Sequence, residues 1–211
     1  RCVGVWCAGR GGGVWWRGRV IGLTHVAQLL FHVGAVSALN LQGYSHYLPL
    51  GGKQVVSLWG GGRVPAWVKA VSLPEQLAFK TVHLFDESVS DVGITPIPST
   101  VRDWAIQVSS PERAILELLY SVDDAHGFKH ALELFEGLTA LRPKVVNKLL
   151  QHCRNIKVKR LFLLMMEQFS YSWTKRIDIE SVELGSGKRV VVKGGKLNKK
   201  YGVTVPEHFD D

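Results

Sequence analysis

The sequence predicts a mixed α/β (α+β) fold, built from several helices and short strands, on three observations. Apolar residues recur at helical spacing in several stretches, above all in the second half. Short β-favouring runs bounded by glycine and proline lie between and after those stretches. The 211 residues are 46% hydrophobic, enough for a real core at a length between one domain and two.

The elements follow in chain order. Residues 1–19 are rich in Gly, Arg and Trp and show no helical period. Ile21, Val26, Leu29, Leu30 and Val33 then recur at roughly helical spacing, which predicts a first helix over about 20–32. Gly34 ends it, and 35–41 reads as a second short helix. The run 55–59 predicts a strand stopped by Gly60-Gly61-Gly62, and 65–71 a short amphipathic piece. Two more strands are expected at 81–85 and 104–108, separated by a loop around Pro96 and Pro98.

Helices take over from Ser110, where an N-cap hydroxyl, Pro111 at the first helical position and Glu112 near the positive helix end all agree. That helix runs to about Tyr120, with Arg113 paired to a nearby acid; Ser110, Pro111 and Glu112 serve helix initiation, hence structure. Further helices are expected at 128–137, from Arg142-Pro143, and at 158–169, the last apolar enough to be buried on most faces. Three β-favouring runs, 182–184, 189–193 and 203–205, predict a small terminal sheet with exposed basic turns.

Residues 20–41 hold no Asp, Glu, Lys or Arg, but Thr24, His25, Gln28, His32, Ser37 and Asn40 interrupt the stretch. It reads as soluble helices rather than a membrane span, and residues 1–20 lack the apolar core of a signal peptide. The net charge of +8 is unevenly placed: +7 over 1–74, −7 over 75–141 and +8 over 142–211. Basic ends flanking an acidic middle suit a protein that meets a polyanion and also a basic protein.

Cys2, Cys7 and Cys153 form neither an even framework nor a paired C-x-x-C, and read as free thiols in a reducing cytoplasm. The eight histidines are scattered; His126 and His130 lie four apart, with Gly127 between and no third ligand nearby. No metal and no cofactor is therefore expected. Gly185-Ser186-Gly187-Lys188-Arg189 is no phosphate-binding loop, because Val182 stands at the first glycine, Arg189 at the hydroxyl, and a β run follows. It reads instead as a basic hairpin turn able to touch phosphates through Lys188 and Arg189. Glu133 with Glu136, and Asp123-Asp124, read as solvated residues, and no nucleophile elbow appears, so no enzyme is expected.

Arg154, Lys157, Lys159 and Arg160 form a basic cluster, with Lys144 and Lys148 before it and Lys188, Arg189, Lys193, Lys196, Lys199 and Lys200 after. Lys and Arg contacts to phosphates give salt-sensitive, largely sequence-independent affinity. The candidate phosphate-binding residues are Arg17, Arg19, Arg154, Lys157, Lys159, Arg160, Lys188 and Arg189. A solvated basic face, or the rim of a protein interface, would show the same charges.

Five runs in order carry a resemblance: Leu41-Gln42-Gly43-Tyr44-Ser45-His46-Tyr47-Leu48, Ser109-Ser110-Pro111-Glu112-Arg113-Ala114-Ile115-Leu116-Glu117, Phe135-Glu136-Gly137-Leu138-Thr139-Ala140-Leu141-Arg142-Pro143, Val158-Lys159-Arg160-Leu161-Phe162, and Leu184-Gly185-Ser186-Gly187-Lys188-Arg189 with Val192-Lys193-Gly194-Gly195. Over about 20–209 the chain resembles the AbiEi antitoxins, transcriptional regulators of type IV toxin–antitoxin systems. The resemblance implies a cytoplasmic bacterial protein with an N-terminal winged helix-turn-helix domain and a larger antitoxin domain. It implies repression of its own operon through operator DNA. It implies opposition to a nucleotidyltransferase-type toxin without a stable complex, in the setting of phage abortive infection. The family's helix-turn-helix usually precedes the point where this sequence starts, so 1–19 is expected to be a winged-helix remnant or disordered tail and operator reading to be impaired. Residues 20–211 would form the antitoxin domain, as one body or as lobes 20–108 and 109–211. Two competing expectations are a metal-dependent nuclease, which needs converging carboxylates, and a truncated, non-functional relic.

Overall fold

The computed structural model describes residues 15–26, 29–44, 55–62, 64, 68, 76–98, 104–207 and 209, with the backbone alone at 15, 16, 19, 25 and 26. Residues 1–14 and, except for Val68, the 65–71 piece lie outside them.

The first helix, α1, is Trp15–Ile21 and continues as a π-helical turn, Gly22–Val26. The chain then does something the periodicity did not predict: Phe31–Val33 is a strand, β1, rather than the end of a helix. A short apolar run cannot be told from a helical segment by spacing alone. Two glycines are tight here: a Cβ on Gly60 of the neighbouring strand would stand 2.1 Å from the carbonyl oxygen of Leu30, and one on Gly34 2.3 Å from Glu117 Oε2. Helix α2, Ala35–Leu41, follows directly.

Strand β1 lies at the centre of a mixed five-stranded sheet of order β3-β2-β1-β5-β4. Its partners are β2 (Val55–Gly60), antiparallel, and β5 (Ala105–Ser109), parallel. Outside them, β3 (Gln76–Lys80) runs parallel to β2, and β4 (Ile94–Pro98) antiparallel to β5. The strand expected at 81–85 therefore sits earlier, at 76–80, and only Phe85 makes an isolated bridge, to Cys153. The expected loop around Pro96 and Pro98 is strand β4, and its place explains the prolines: at a sheet edge the missing N–H costs no ladder bond.

Helices α3 (Pro111–Tyr120), α4 (Ala125–Glu136), α5 (Pro143–Gln151) and α6 (Ile156–Met166) make up the other layer. Pro stands in the first turn of α3 and α5, as the sequence predicts. Asp124 and Asn155 cap α4 and α6 by accepting from Gly127 N and Val158 N. Ser110 does not cap α3; its hydroxyl turns to Glu112 instead. Buried residues from Val20 to Val205 form one core, and α6 is buried along nearly its whole length from Val158 to Met166.

The terminal sheet is smaller than expected, a hairpin of β6 (Lys196–Asn198) and β7 (Val203–Val205). Residues 182–184 form no strand, and of 189–193 only Arg189 bridges, parallel to Val203. Successive Val191 and Val192 are both buried and both donate their N–H to Thr204 Oγ1, which breaks the alternation a strand needs. Among the described residues no helix is long and apolar enough to cross a membrane.

Candidate functional site

Two carboxylates on α3 are buried, and each has its charge answered. Glu117 is 1% exposed at the junction of β1, α2, β5 and α3. Its Oε1 lies 2.8 Å from His32 Nε2 and accepts from Arg113 Nε at 3.0 Å. Its Oε2 accepts from Ser109 Oγ and from the Ala35 N–H. The Arg113 guanidinium continues to the carbonyls of Ser90 and Val92 and lies 4.6 Å from the centre of the Phe85 ring. Burial pushes the Glu117 carboxyl up, but the facing His32 and Arg113 outweigh it and hold the group below its ordinary value.

Glu112 ties α3 to the start of α5. Arg142 donates to it through Nε, Nη2 and its backbone N–H, and Ser110 adds its hydroxyl at 2.7 Å. Burial raises this carboxyl, the Arg142 and Ser110 bonds lower it more, and its pKa falls to about 2. A carboxylate depressed from 4.5 to about 2 by folding stabilises the native state above the higher value and loses that contribution as pH falls through the lower. The melting temperature is thus expected to drop between pH 4.5 and 2. Glu112→Gln should flatten the decline, as scanning calorimetry across that range would show.

The basic residues divide into those bonded inside the fold and those left open. Arg154 pairs with Asp86 at 2.7 Å, and His152 lies on the other oxygen of that carboxylate. Lys157 donates to the carbonyls of Tyr120 and Val122, closing the C-terminal end of α3, and burial pulls its pKa down. Lys159 is 4% exposed, beside Cys153, whose thiol burial pushes up to about 11. Arg160 is 5% exposed and holds the carbonyls of Leu184, Gly185, Gly187 and Gly202. Arg17 is half-buried on α1, and the side chain of Arg19 lies outside the described residues.

The structure thus brings Arg160, Lys188 and Arg189 to one place and keeps Arg154 and Lys157 elsewhere. Around Arg160 the turns 184–187 and 199–202 enclose an open depression of about 360 Å³ with Lys188, Lys199 and Lys200 on its wall. Lys200 and the Tyr201 hydroxyl both bind Glu167, whereas the ammonium groups of Lys188 and Lys199 have no acceptor among the described residues. Among those residues no three His, Cys, Asp or Glu side chains gather as a metal site would require.

An α+β body with its deep acids bound internally, and open cations on glycine turns at its C-terminal end, suits a regulator that acts through charged contacts. The sequence comparisons give the class. A family model described as "Transcriptional regulator, AbiEi antitoxin, Type IV TA system" matches residues 53–206, and one described as "Transcriptional regulator, AbiEi antitoxin N-terminal domain" matches residues 2–50. The chain belongs to the AbiEi antitoxin family of type IV toxin–antitoxin systems. A search of curated proteins finds no match. Among solved structures, the crystal structure of RV2827C protein from Mycobacterium tuberculosis is similar, with a TM-score of 0.57 and 12% sequence identity, over 90% of this chain and 66% of that one. At that identity the likeness is one of fold.

Proposed function

We propose that this chain is a DNA-binding autorepressor of its own operon and the antitoxin that opposes a nucleotidyltransferase-type toxin, acting in the cytoplasm and catalysing no reaction itself. The observation that carries the DNA-binding part is the set of open cations on the C-terminal turns, Lys188, Lys193 and Lys199, joined by Arg189. Arg17 and Arg19 would add contacts from the stretch that matches the family's N-terminal domain. Arg160 supports this face from beneath through the carbonyls it holds on the 184–187 and 199–202 turns, while Lys157, a candidate from the sequence, would act only away from it, at the end of α3. Lysine and arginine at the surface of a partly acidic protein attract a phosphate backbone, and the affinity falls steeply with salt.

The test is a gel-shift titration of labelled duplex from upstream of its own operon against unrelated duplex, at about 50 to 200 mM salt. Tighter binding to the upstream duplex, with affinity falling linearly on a log–log salt plot, is the expected result. Equal, salt-insensitive binding to both, or none, would overturn it. Co-expression with the product of the neighbouring gene tests the antitoxin half: growth should recover.

A further inference from the structure

We infer that the depression over Arg160 is a binding site for one phosphate group, held between the guanidinium floor and the Lys188 and Lys199 ammonium groups. The inference rests on the reading of this end as the anion-facing surface, and says where and how the anion sits.

The floor comes first. A guanidinium carries five N–H donors in a fixed plane. In Arg160, Nε donates to Leu184 O at 2.8 Å, Nη1 to Gly187 O at 2.6 Å and Gly202 O at 3.4 Å, and Nη2 to Gly185 O at 3.0 Å. One Nη2 hydrogen remains without an acceptor among the described residues. The residue is 5% exposed and lines the depression. Every guanidinium nitrogen already has a partner, and the one spare N–H leaves this fixed cation able to take a further acceptor from outside.

The wall supplies the charge. Lys188 and Lys199 are exposed and have no acceptor among the described residues, and no Asp or Glu lines the depression. Lys200 is neutralised by Glu167, which keeps that side of the mouth in place. Three cations around one small space favour a phosphate oxygen cluster, and a charge-assisted bond from each is among the stronger polar contacts. The glycines keep the space open. Gly202 has φ of +62°, and a Cβ there would come within 3.1 Å of Arg160 Nη1; Gly187, at φ +76°, would place one 3.5 Å from Arg189 Nη1. A side chain at either position would be strained by its positive φ, and at Gly202 it would also crowd the Arg160 guanidinium.

The phosphate could belong to a nucleic-acid backbone or arrive free, and the experiment separates the two. Inorganic phosphate is titrated into the full chain at low ionic strength and followed by ¹⁵N–¹H shifts of Gly185 to Lys188. The titration is repeated with Lys188→Ala/Lys199→Ala, whose exposed positions leave the core intact, as circular dichroism would verify. Saturable binding weakened about tenfold in the variant supports the site. If the variant also loses about two from the salt slope for duplex DNA, the source is the nucleic-acid backbone. If phosphate binding falls while the DNA slope holds, the site is real and serves a free phosphate, and DNA lies on another face. No saturable shift in the native chain, or equal shifts in the variant, overturns the inference whatever the DNA result.

Discussion

Glu117→Ala is expected to cost about 3–5 kcal/mol of folding stability, measured as the shift of the guanidinium unfolding transition at constant m-value. Removing one partner of a buried charged group leaves the others in place without an answer, and that penalty exceeds the value of the bond itself. Here the abandoned groups would be Arg113, His32, the Ser109 hydroxyl and the Ala35 N–H, all at the meeting of β1, β5, α2 and α3. The Ala35 contact matters twice. Ala35 has φ of +49°, a left-handed conformation that an alanine adopts only under constraint, and it opens α2 after a glycine with no side-chain cap. The carboxylate of Glu117 is what answers that free N–H, from 82 residues further along the chain. Glu117→Gln, which keeps the shape and one acceptor but not the charge, should fall between. Glu133→Ala, exposed on α4, should stay within about 0.5 kcal/mol. A Glu117→Ala variant within about 1 kcal/mol of the native chain would show that the junction is held by packing alone.

The same cluster shows what the sequence disclosed and what it withheld. Arg113 needed an acid, and the i,i+4 spacing to Glu117 pointed to it, because both fall on the helix face that Ile115, Leu116 and Leu119 fail to fill. His32, which completes the site, was hidden by the error at β1, since a helix over 20–32 gives no reason to carry it to α3. The helices opened by Pro111 and Pro143 were legible because proline marks the first turn by its own geometry. The edge strand β4 was not, because the two prolines that fit it for an edge argue against a strand when the sheet order is unknown. For the basic cluster the signal was present. A helix apolar on most faces must carry Lys159 and Arg160 inward with it, and there Arg160 finds backbone carbonyls. That consequence of the 158–169 pattern separates the inner cations from the outer ones, Lys188 and Lys199.

A chain beginning at Val55, close to the start of the longer family match, is expected not to fold by itself. The sheet order is the reason. With β1 gone, β3-β2 and β5-β4 become two separate pairs, since β1 is the strand joining β2 to β5. Phe31, Val33 and Leu39 leave the core with it, each buried side chain being worth about 1.5–3 kcal/mol. Glu117 then loses His32 and the Ala35 N–H and keeps only Arg113 and the Ser109 hydroxyl. Together these losses rival the whole net stability of an ordinary domain, about 5–15 kcal/mol. The fragment should give no cooperative thermal transition and a collapsed amide spectrum, whereas the full chain should melt in one step. A sharp melt from the fragment would mean that another segment closes the gap between β2 and β5. In that case residues 31–41 would be an attachment to the antitoxin body rather than part of it. Failure of the fragment instead makes residues 31–41 part of the same folding unit as the rest of the sheet, tied to α3 through β1 and the hydrogen bonds of Glu117 to His32 and Ala35.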